Sequence, residues 1–234
     1  MPDLTIFDHP SPNFGARRDG ARADMVVIHY TAMASAAEAC ARLCSNAVEV
    51  SAHYLIDEAG RIQRLVAEDM RAWHAGAGQW GDVRDVNSRS IGIELSNTGA
   101  TPFAALQMNA LEALLAEVLA RHSIPPERVI GHSDMAPTRK IDPGPRFDWR
   151  RLARLGLSVW PEVAPVAPDQ VTQAAFDAAL ERFGYAPCDA PEARLCAFRD
   201  RFRPRYTGPL DGVDLAMAQN LARRFPVDLS PSTA

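Results

Sequence analysis

The run Met25-Val26-Val27-Ile28-His29-Tyr30 constrains this chain more than any other stretch. Its apolar, largely β-branched residues show no polar alternation, so both faces of the strand must be covered. Such a strand belongs in the middle of a sheet with other layers packed against it. Ser90-Ile91-Gly92-Ile93-Glu94-Leu95 repeats the pattern. Each run also holds one ionisable residue near its end, His29 and Glu94, where burial is costly unless the group is paired or used.

Around these two strands the chain reads as alternating α and β elements. Residues 1–24 are polar and rich in Pro, Gly and Arg, and are expected to form an extended arm. Residues 34–45 are Ala-rich and helical. Val50–Ile56 and Arg61–Val66 read as strands joined by a turn at Glu58-Ala59-Gly60. Phe103–His122 has the apolar spacing of an amphipathic helix, which Pro125-Pro126 prevents from continuing. Arg128–Gly131 is a short strand that delivers His132, and Asp142–Phe147 is loop.

The composition shifts after Trp160. Residues 161–168 hold three prolines in eight positions and read as a semi-rigid linker. Helices are expected at Gln170–Phe183, Pro191–Phe202 and Leu215–Phe225. This gives a catalytic-type domain over 1–160 with its arm, a linker over 161–168, and a small all-α domain over 169–234. So small a bundle has a marginal core and is expected to dock on the first domain.

The 234 residues are 47% hydrophobic and 23% charged, with a formal net charge of -4. That balance argues against a nucleic-acid binder, which wants a basic face. No apolar run is long enough for a spanning helix. Met1 to Asp8 lack the basic start and apolar core of a secretory signal, so a cytoplasmic location is expected; a chain trimmed of its signal would instead sit in the periplasm or cell envelope. Cys40, Cys44, Cys188 and Cys196 include no Cys-x-x-Cys pair. They are expected to be reduced thiols rather than a thiolate metal site, and an intrahelical Cys40–Cys44 disulfide is geometrically poor. His9, in the arm, has no assigned role.

The chemistry gathers around Gly131-His132-Ser133-Asp134 and Arg139-Lys140-Ile141-Asp142-Pro143-Gly144. Taken singly, His29 and His132 each fit a hydrogen-bonded core histidine better than a ligand. With Asp142 they match the three N/O ligands that hydrolytic zinc sites use, with a fourth position left for water. Glu94 is either the partner of an arginine or a general base for such a water. Lys140 is either a solvated surface lysine or a donor to a developing oxyanion. His53 fits a core position or the support of a ligating histidine. Trp73-His74, before Gly76, Gly78 and Gly81, fits a cleft rim that touches substrate. His122, at a helix end, reads as capping or solvated.

Five ordered motifs then resemble one family. They are Val27-Ile28-His29-Tyr30-Thr31, Ser51-Ala52-His53-Tyr54-Leu55-Ile56, Arg71-Ala72-Trp73-His74-Ala75-Gly76, Ser90-Ile91-Gly92-Ile93-Glu94, and Gly131-His132-Ser133-Asp134-Met135-Ala136-Pro137 through Arg139–Gly144. Together they resemble the zinc-dependent N-acetylmuramoyl-L-alanine amidases of the amidase-2 group, which are related to peptidoglycan recognition proteins. The resemblance covers about residues 8–150. It implies an α/β fold with a mixed central β-sheet flanked by helices. It implies one Zn2+ on His29, His132 and Asp142, with Glu94 as acid/base and Lys140 steadying the transition state. Tyr30, Arg71, Trp73 and His74 would be the substrate contacts. The bond cut would join the lactyl group of N-acetylmuramic acid, or its 1,6-anhydro form, to L-alanine of the stem peptide. The expected partner is therefore peptidoglycan or an anhydro-muropeptide, met by a monomer.

The C-terminal region more faintly resembles the three-helix peptidoglycan-binding module of some relatives. Thr98-Gly99-Ala100-Thr101-Pro102 is shorter than the loop many relatives carry there, which would open the groove. Two rivals share these residues: a recognition protein that binds peptidoglycan without cutting it, and a zinc peptidase. The complete ligand set favours an enzyme over the recognition protein; the chain has no His-Glu-x-x-His helix, an absence that does not exclude the peptidase.

Overall fold

The structure, a computed structural model, describes residues 4–163 and 171–227. Most of the expected linker lies outside the described residues. Met25–Tyr30 forms strand β3 and Ser90–Leu95 forms β7, the two runs that the sequence marks as buried. The strands before β3 are β1 (Ile6–Asp8) and β2 (Phe14–Ala16); between β3 and β7 come β4 (Tyr54–Ile56), β5 (Ile62–Arg64) and β6 (Met70–Ala72), and β8 (Val129–Gly131) follows. Six of them make one sheet in the order β1-β5-β4-β7-β3-β8, and β2 and β6 pair as a separate antiparallel ribbon. β3 lies parallel to β7 and β8, β4 is parallel to β7, and β5 is antiparallel to β4, so the sheet is mixed.

The arm is extended, and it also pairs with the fold. Its β1 extends the sheet edge beside β5, and β2 joins β6. Each segment is three residues long, too short for a period-2 pattern to show.

The strand period sorts the core into two faces. Val26 and Ile28 of β3, with Ile91, Ile93 and Leu95 of β7, point to helix α3 (Ala105–His122) and meet its Leu111, Leu114, Leu115 and Val118. Met25 and Val27 point the other way, into a core shared with the C-terminal helices. In chain order the remaining helices are α1 (Ala36–Leu43), α2 (Val86–Arg89), α4 (His132–Met135), α5 (Trp149–Arg154), α6 (Gln173–Phe183), α7 (Pro191–Phe202) and α8 (Gly212–Arg224). α3 ends where Ser123 turns left-handed, two residues before the Pro-Pro pair. The short helices α4 and α5 are absent from the sequence reading, because neither is long enough to display a helical period.

α6, α7 and α8 bury Phe176, Phe183, Phe198, Phe202 and Leu215 in the same cluster as Met25, Val27 and Ile130 of the sheet. Trp80, from a loop of the N-terminal part, meets Phe183 and Tyr185 edge-on at ring distances of 5.5 and 5.2 Å. Gly184 admits that indole, since a Cβ there would stand 2.3 Å from its ring. The helical region is thus packed on the sheet through an apolar core.

Candidate active site

β3, β7 and β8 run parallel and end at one edge, where open α/β sheets place their ligands. Register pairs His29 with Glu94, so the two side chains stand side by side on one face. β8 ends at Gly131, and the next residue, His132, starts α4 at the same edge. Asp142 returns to this point on the following loop, where its carbonyl accepts Ser133 N–H at 2.9 Å.

Three donor atoms converge. His29 Nδ1 lies 2.9 Å from His132 Nδ1 and 2.9 Å from Asp142 Oδ2, and His132 Nδ1 lies 3.0 Å from the same oxygen. All three residues are buried, and together they form a candidate metal site. Ligand atoms on one tetrahedral zinc stand about 3.3 Å apart, given bonds near 2.0–2.1 Å. The triangle is a few tenths tighter than that, and its two imidazoles and one carboxylate are a zinc-type donor set. The residues fit the ion.

The outer ring atoms fix which nitrogens face the cluster. His132 Nε2–H donates to the Ala75 carbonyl at 2.9 Å, which leaves Nδ1 with its lone pair. His29 Nε2 meets His74 Nδ1 at 3.0 Å, His74 Nε2 meets Ser90 Oγ at 3.2 Å, and Ser90 Oγ–H donates to the Val86 carbonyl at 2.6 Å. That last acceptor sets the direction of the relay. Ser90 accepts from His74, His74 accepts from His29, and His29 Nδ1 is left free to ligate. Burial, with His132 beside it, pushes the His29 imidazole down to about 4, so it is neutral at pH 7. Burial would raise the Asp142 carboxyl, but its close contacts with His132 and His29 outweigh it and hold the group well below the carboxylate range.

Glu94 is the opposite case. Its Oε2 is buried without a hydrogen-bond partner. Burial, and then the charge of Asp142, push it up to about 8, with Lys140 pulling only partly back. No arginine pairs with it among the described residues. It lines a cleft of about 500 Å3 together with His29, Tyr30, Trp73, His74, His132, Lys140 and Asp142.

Most of the expected site residues are thus brought together. His74 lies deeper than a rim residue. It is buried, its ring is laid on the strand at Gly92, and it orients His29. A Cβ at Gly92 would stand 2.4 Å from that ring. Arg71 is not brought to the ligand set; it bonds Asp85 at 3.0 Å and Ser88 at 3.1 Å beside an adjoining groove. His53 is buried and braces the strand, accepting Gly92 N–H at 2.9 Å. His122 pairs with Glu68 at 2.7 Å.

Sequence reasoning missed Ser90, Asn87 and the clamp on α4. Asn87 Oδ1 accepts the His74 and Ala75 N–H groups. Asp134 accepts Gly131 N–H at 2.7 Å, Arg201 Nη1 at 2.8 Å and the Tyr185 hydroxyl. Gly92 was the available signal, because a bare glycine inside a buried strand marks a close approach.

Fold and site together define a class, the amide hydrolases built on a mixed sheet with a His/His/Asp metal set. The family model described as N-acetylmuramoyl-L-alanine amidase, Amidase_2, matches residues 19–145, and the chain belongs to this family. N-acetylmuramoyl-L-alanine amidase AmiD of Escherichia coli is 36% identical over 239 residues, spanning 88% of this chain and 85% of that protein. A solved complex of AmiD with anhydro-N-acetylmuramic acid-L-Ala-D-gamma-Glu-L-Lys superposes with a TM-score of 0.81 at 35% identity, covering 91% of this chain and 93% of that one. The structure of AmpDh3 from Pseudomonas aeruginosa superposes at 0.77 with 32% identity, covering 93% and 96%. The 1,6-anhydro-N-acetylmuramyl-L-alanine amidase AmpD of Enterobacter cloacae is 42% identical over 103 residues, 44% of this chain and 55% of that protein. These matches establish an amidase of peptidoglycan chemistry.

Proposed function

We propose that this chain is a zinc enzyme that hydrolyses the amide between the lactyl group of N-acetylmuramic acid, or its 1,6-anhydro form, and L-alanine of the stem peptide. The observation that supports this best is one cleft holding a converged His29/His132/Asp142 set and, beside it, a raised and unpartnered carboxylate on Glu94. Zinc bound to that set supplies Lewis acidity toward the scissile carbonyl and makes water a nucleophile near neutral pH.

The remaining work falls to the chain. Glu94 accepts a proton from the attacking water as the new C–O bond forms. It returns that proton to the alanine nitrogen as the C–N bond breaks. The products are the lactyl carboxylate and a free L-alanyl amine. The Lys140 ammonium, on the cleft wall, offsets charge on the carbonyl oxygen. Trp73, whose backbone N–H donates to Ser51 Oγ at 2.8 Å, and Tyr30 offer flat surfaces to the muramyl group.

AmiD was solved with an anhydro-muramyl tripeptide, which makes that ligand class the first substrate to test. The four free cysteines support a reducing compartment, the cytoplasm, where soluble anhydro-muropeptide rather than wall polymer would be met. No helix among the described residues is long and apolar enough to cross a membrane. We take the monomer as the working unit.

Glu94→Gln tests the reading. It should keep as much zinc as the wild type and lose muramyl–alanine cleavage by about 100-fold to 10,000-fold. Wild-type turnover in that variant refutes the assignment of Glu94. Wild-type protein that binds the muropeptide but holds no zinc and releases no L-alanyl peptide would instead be a recognition protein.

A further inference from the structure

We propose that His9, Cys40 and Cys44 form a second metal site, for a thiophilic cation of the zinc type, separate from the His29/His132/Asp142 set. One imidazole nitrogen and two sulfurs lie within 4.8 Å of one another. Cys40 and Cys44 are four positions apart at the end of α1, so both thiols leave one face of the helix. The sequence offers no Cys-x-x-Cys pair; the third donor comes from the arm, 31 positions upstream of Cys40.

The backbone holds that donor in place. His9 N–H bonds the Arg64 carbonyl at 3.0 Å, and Ser11 N–H bonds the Leu65 carbonyl at 2.8 Å. Ser11 Oγ–H reaches back to the Leu43 carbonyl at 2.5 Å, and the Cys44 thiol faces the His9 carbonyl at 3.8 Å. Asn13 Nδ2 then ties the arm to the carbonyls of Ser45, Val48 and Val50 at 2.8–2.9 Å. Two sulfurs on one tetrahedral zinc stand about 3.8 Å apart, so closing the set needs a contraction of at most about 1 Å, which side-chain rotation supplies.

The donor chemistry separates the two sites. Two thiolates and an imidazole form a soft set, whereas the cleft offers two imidazoles and a carboxylate. Cys40 is buried and Cys44 half-buried, and burial raises both thiols, Cys44 to about 11 with Cys40 adding to the rise. As anions the pair repel one another, and a cation between them removes that cost. Binding one M2+ releases the two thiol protons and changes no oxidation state. His9 is exposed, so a fourth position faces solvent. α1 also lines the catalytic cleft with Ala39, Arg42 and Leu43, so the ion would staple the arm to the helix that walls the cleft.

Cobalt(II) titration of the metal-free full chain under reducing conditions tests this. Two equivalents should bind, and one should produce the near-ultraviolet sulfur-to-cobalt charge-transfer absorption that a His/His/Asp site cannot give. Cys44→Ser should abolish that band, His9→Ala should weaken its midpoint by about 10-fold or more, and His29→Ala should leave it intact. Cys44 is only half-buried, so its variant keeps the test usable if Cys40→Ser does not fold. One equivalent with no charge-transfer band in the wild type, or a band that survives Cys44→Ser, overturns the proposal. Neither result depends on muropeptide cleavage.

Discussion

Glu94 and Asp142 are carboxylates that face one cleft, one from a strand and one from a loop, yet their surroundings drive them apart. Asp142 sits on a loop between two imidazoles and is held as the anion. Glu94 projects from the end of β7 with one oxygen unpartnered and is pushed toward the neutral acid. Similar removal from water thus yields opposite protonation, decided by which partners the fold supplies. The loop wall holds charge to bind a cation, and the strand wall leaves a group able to gain and lose a proton near pH 7.

Exchanging each carboxylate for its amide breaks this comparison most directly, with the largest effect expected at Asp142. Asp142→Asn keeps the volume but removes the charge. The protein should come through dialysis with one equivalent of zinc fewer than the wild type and with cleavage at background. Glu94→Gln should lose comparable activity while its zinc content, read by elemental analysis, matches that of the wild type. If Asp142→Asn retains as much zinc as the wild type, the division of labour between the two walls is wrong.

Stability against pH should separate the walls next. In metal-free protein, the Glu94 carboxyl is raised from its ordinary 4.5 to about 8. The folded state therefore holds that proton more tightly than the unfolded chain. Its contribution to stability is complete below about 4.5 and is lost as pH climbs through about 8. The Glu94→Gln variant has no such proton to lose. Unfolding free energies of the two metal-free proteins, from denaturant melts, should run parallel near pH 4. Toward pH 8 they should diverge in favour of the variant, by a gap on the order of a few kcal/mol. Parallel profiles across that whole range would mean that the strand wall is better solvated than its unpartnered oxygen implies.

A smaller effect is expected at Gly92, which builds the strand wall. Gly92→Ala would press a Cβ to 2.4 Å of the His74 ring and push it off His29. Loss of such an orienting partner typically weakens a metal site by 10-fold to 100-fold. Competitive chelation should show that drop while Glu94 keeps its position on β7. An unchanged zinc affinity would make His74 a packing residue only.

This contrast was partly legible in the sequence. β3, β7 and α3 declared themselves because long apolar runs and helical spacing are local signals. His29, Glu94, His132 and Asp142 were readable because each sits in an ordered motif. The relay through His74 to Ser90 was not, since it depends on a ring lying over Gly92 from a separate loop. Nor was the contact of Arg201 with Asp134, which joins residues 67 positions apart. The three-residue strands of the arm, and the meeting of His9 with α1, likewise arise only when the sheet edge forms.

Asp134 adds a third carboxylate to the comparison and gives the smallest expected effect. Unlike Glu94 it is buried and fully partnered, by Gly131 N–H, Arg201 and the Tyr185 hydroxyl. It shapes the turn that presents His132, so the C-terminal helices hold the loop wall as well as packing on the sheet. Tyr185→Phe removes one hydroxyl and leaves two of the three partners. Stability should fall by about 1–2 kcal/mol, the cost of an unmade buried hydrogen bond to a charged group. Zinc affinity should fall a few-fold with it, because the turn that carries His132 loosens. A melting temperature that drops while zinc affinity holds would show that the clamp braces the core without steering the ligand.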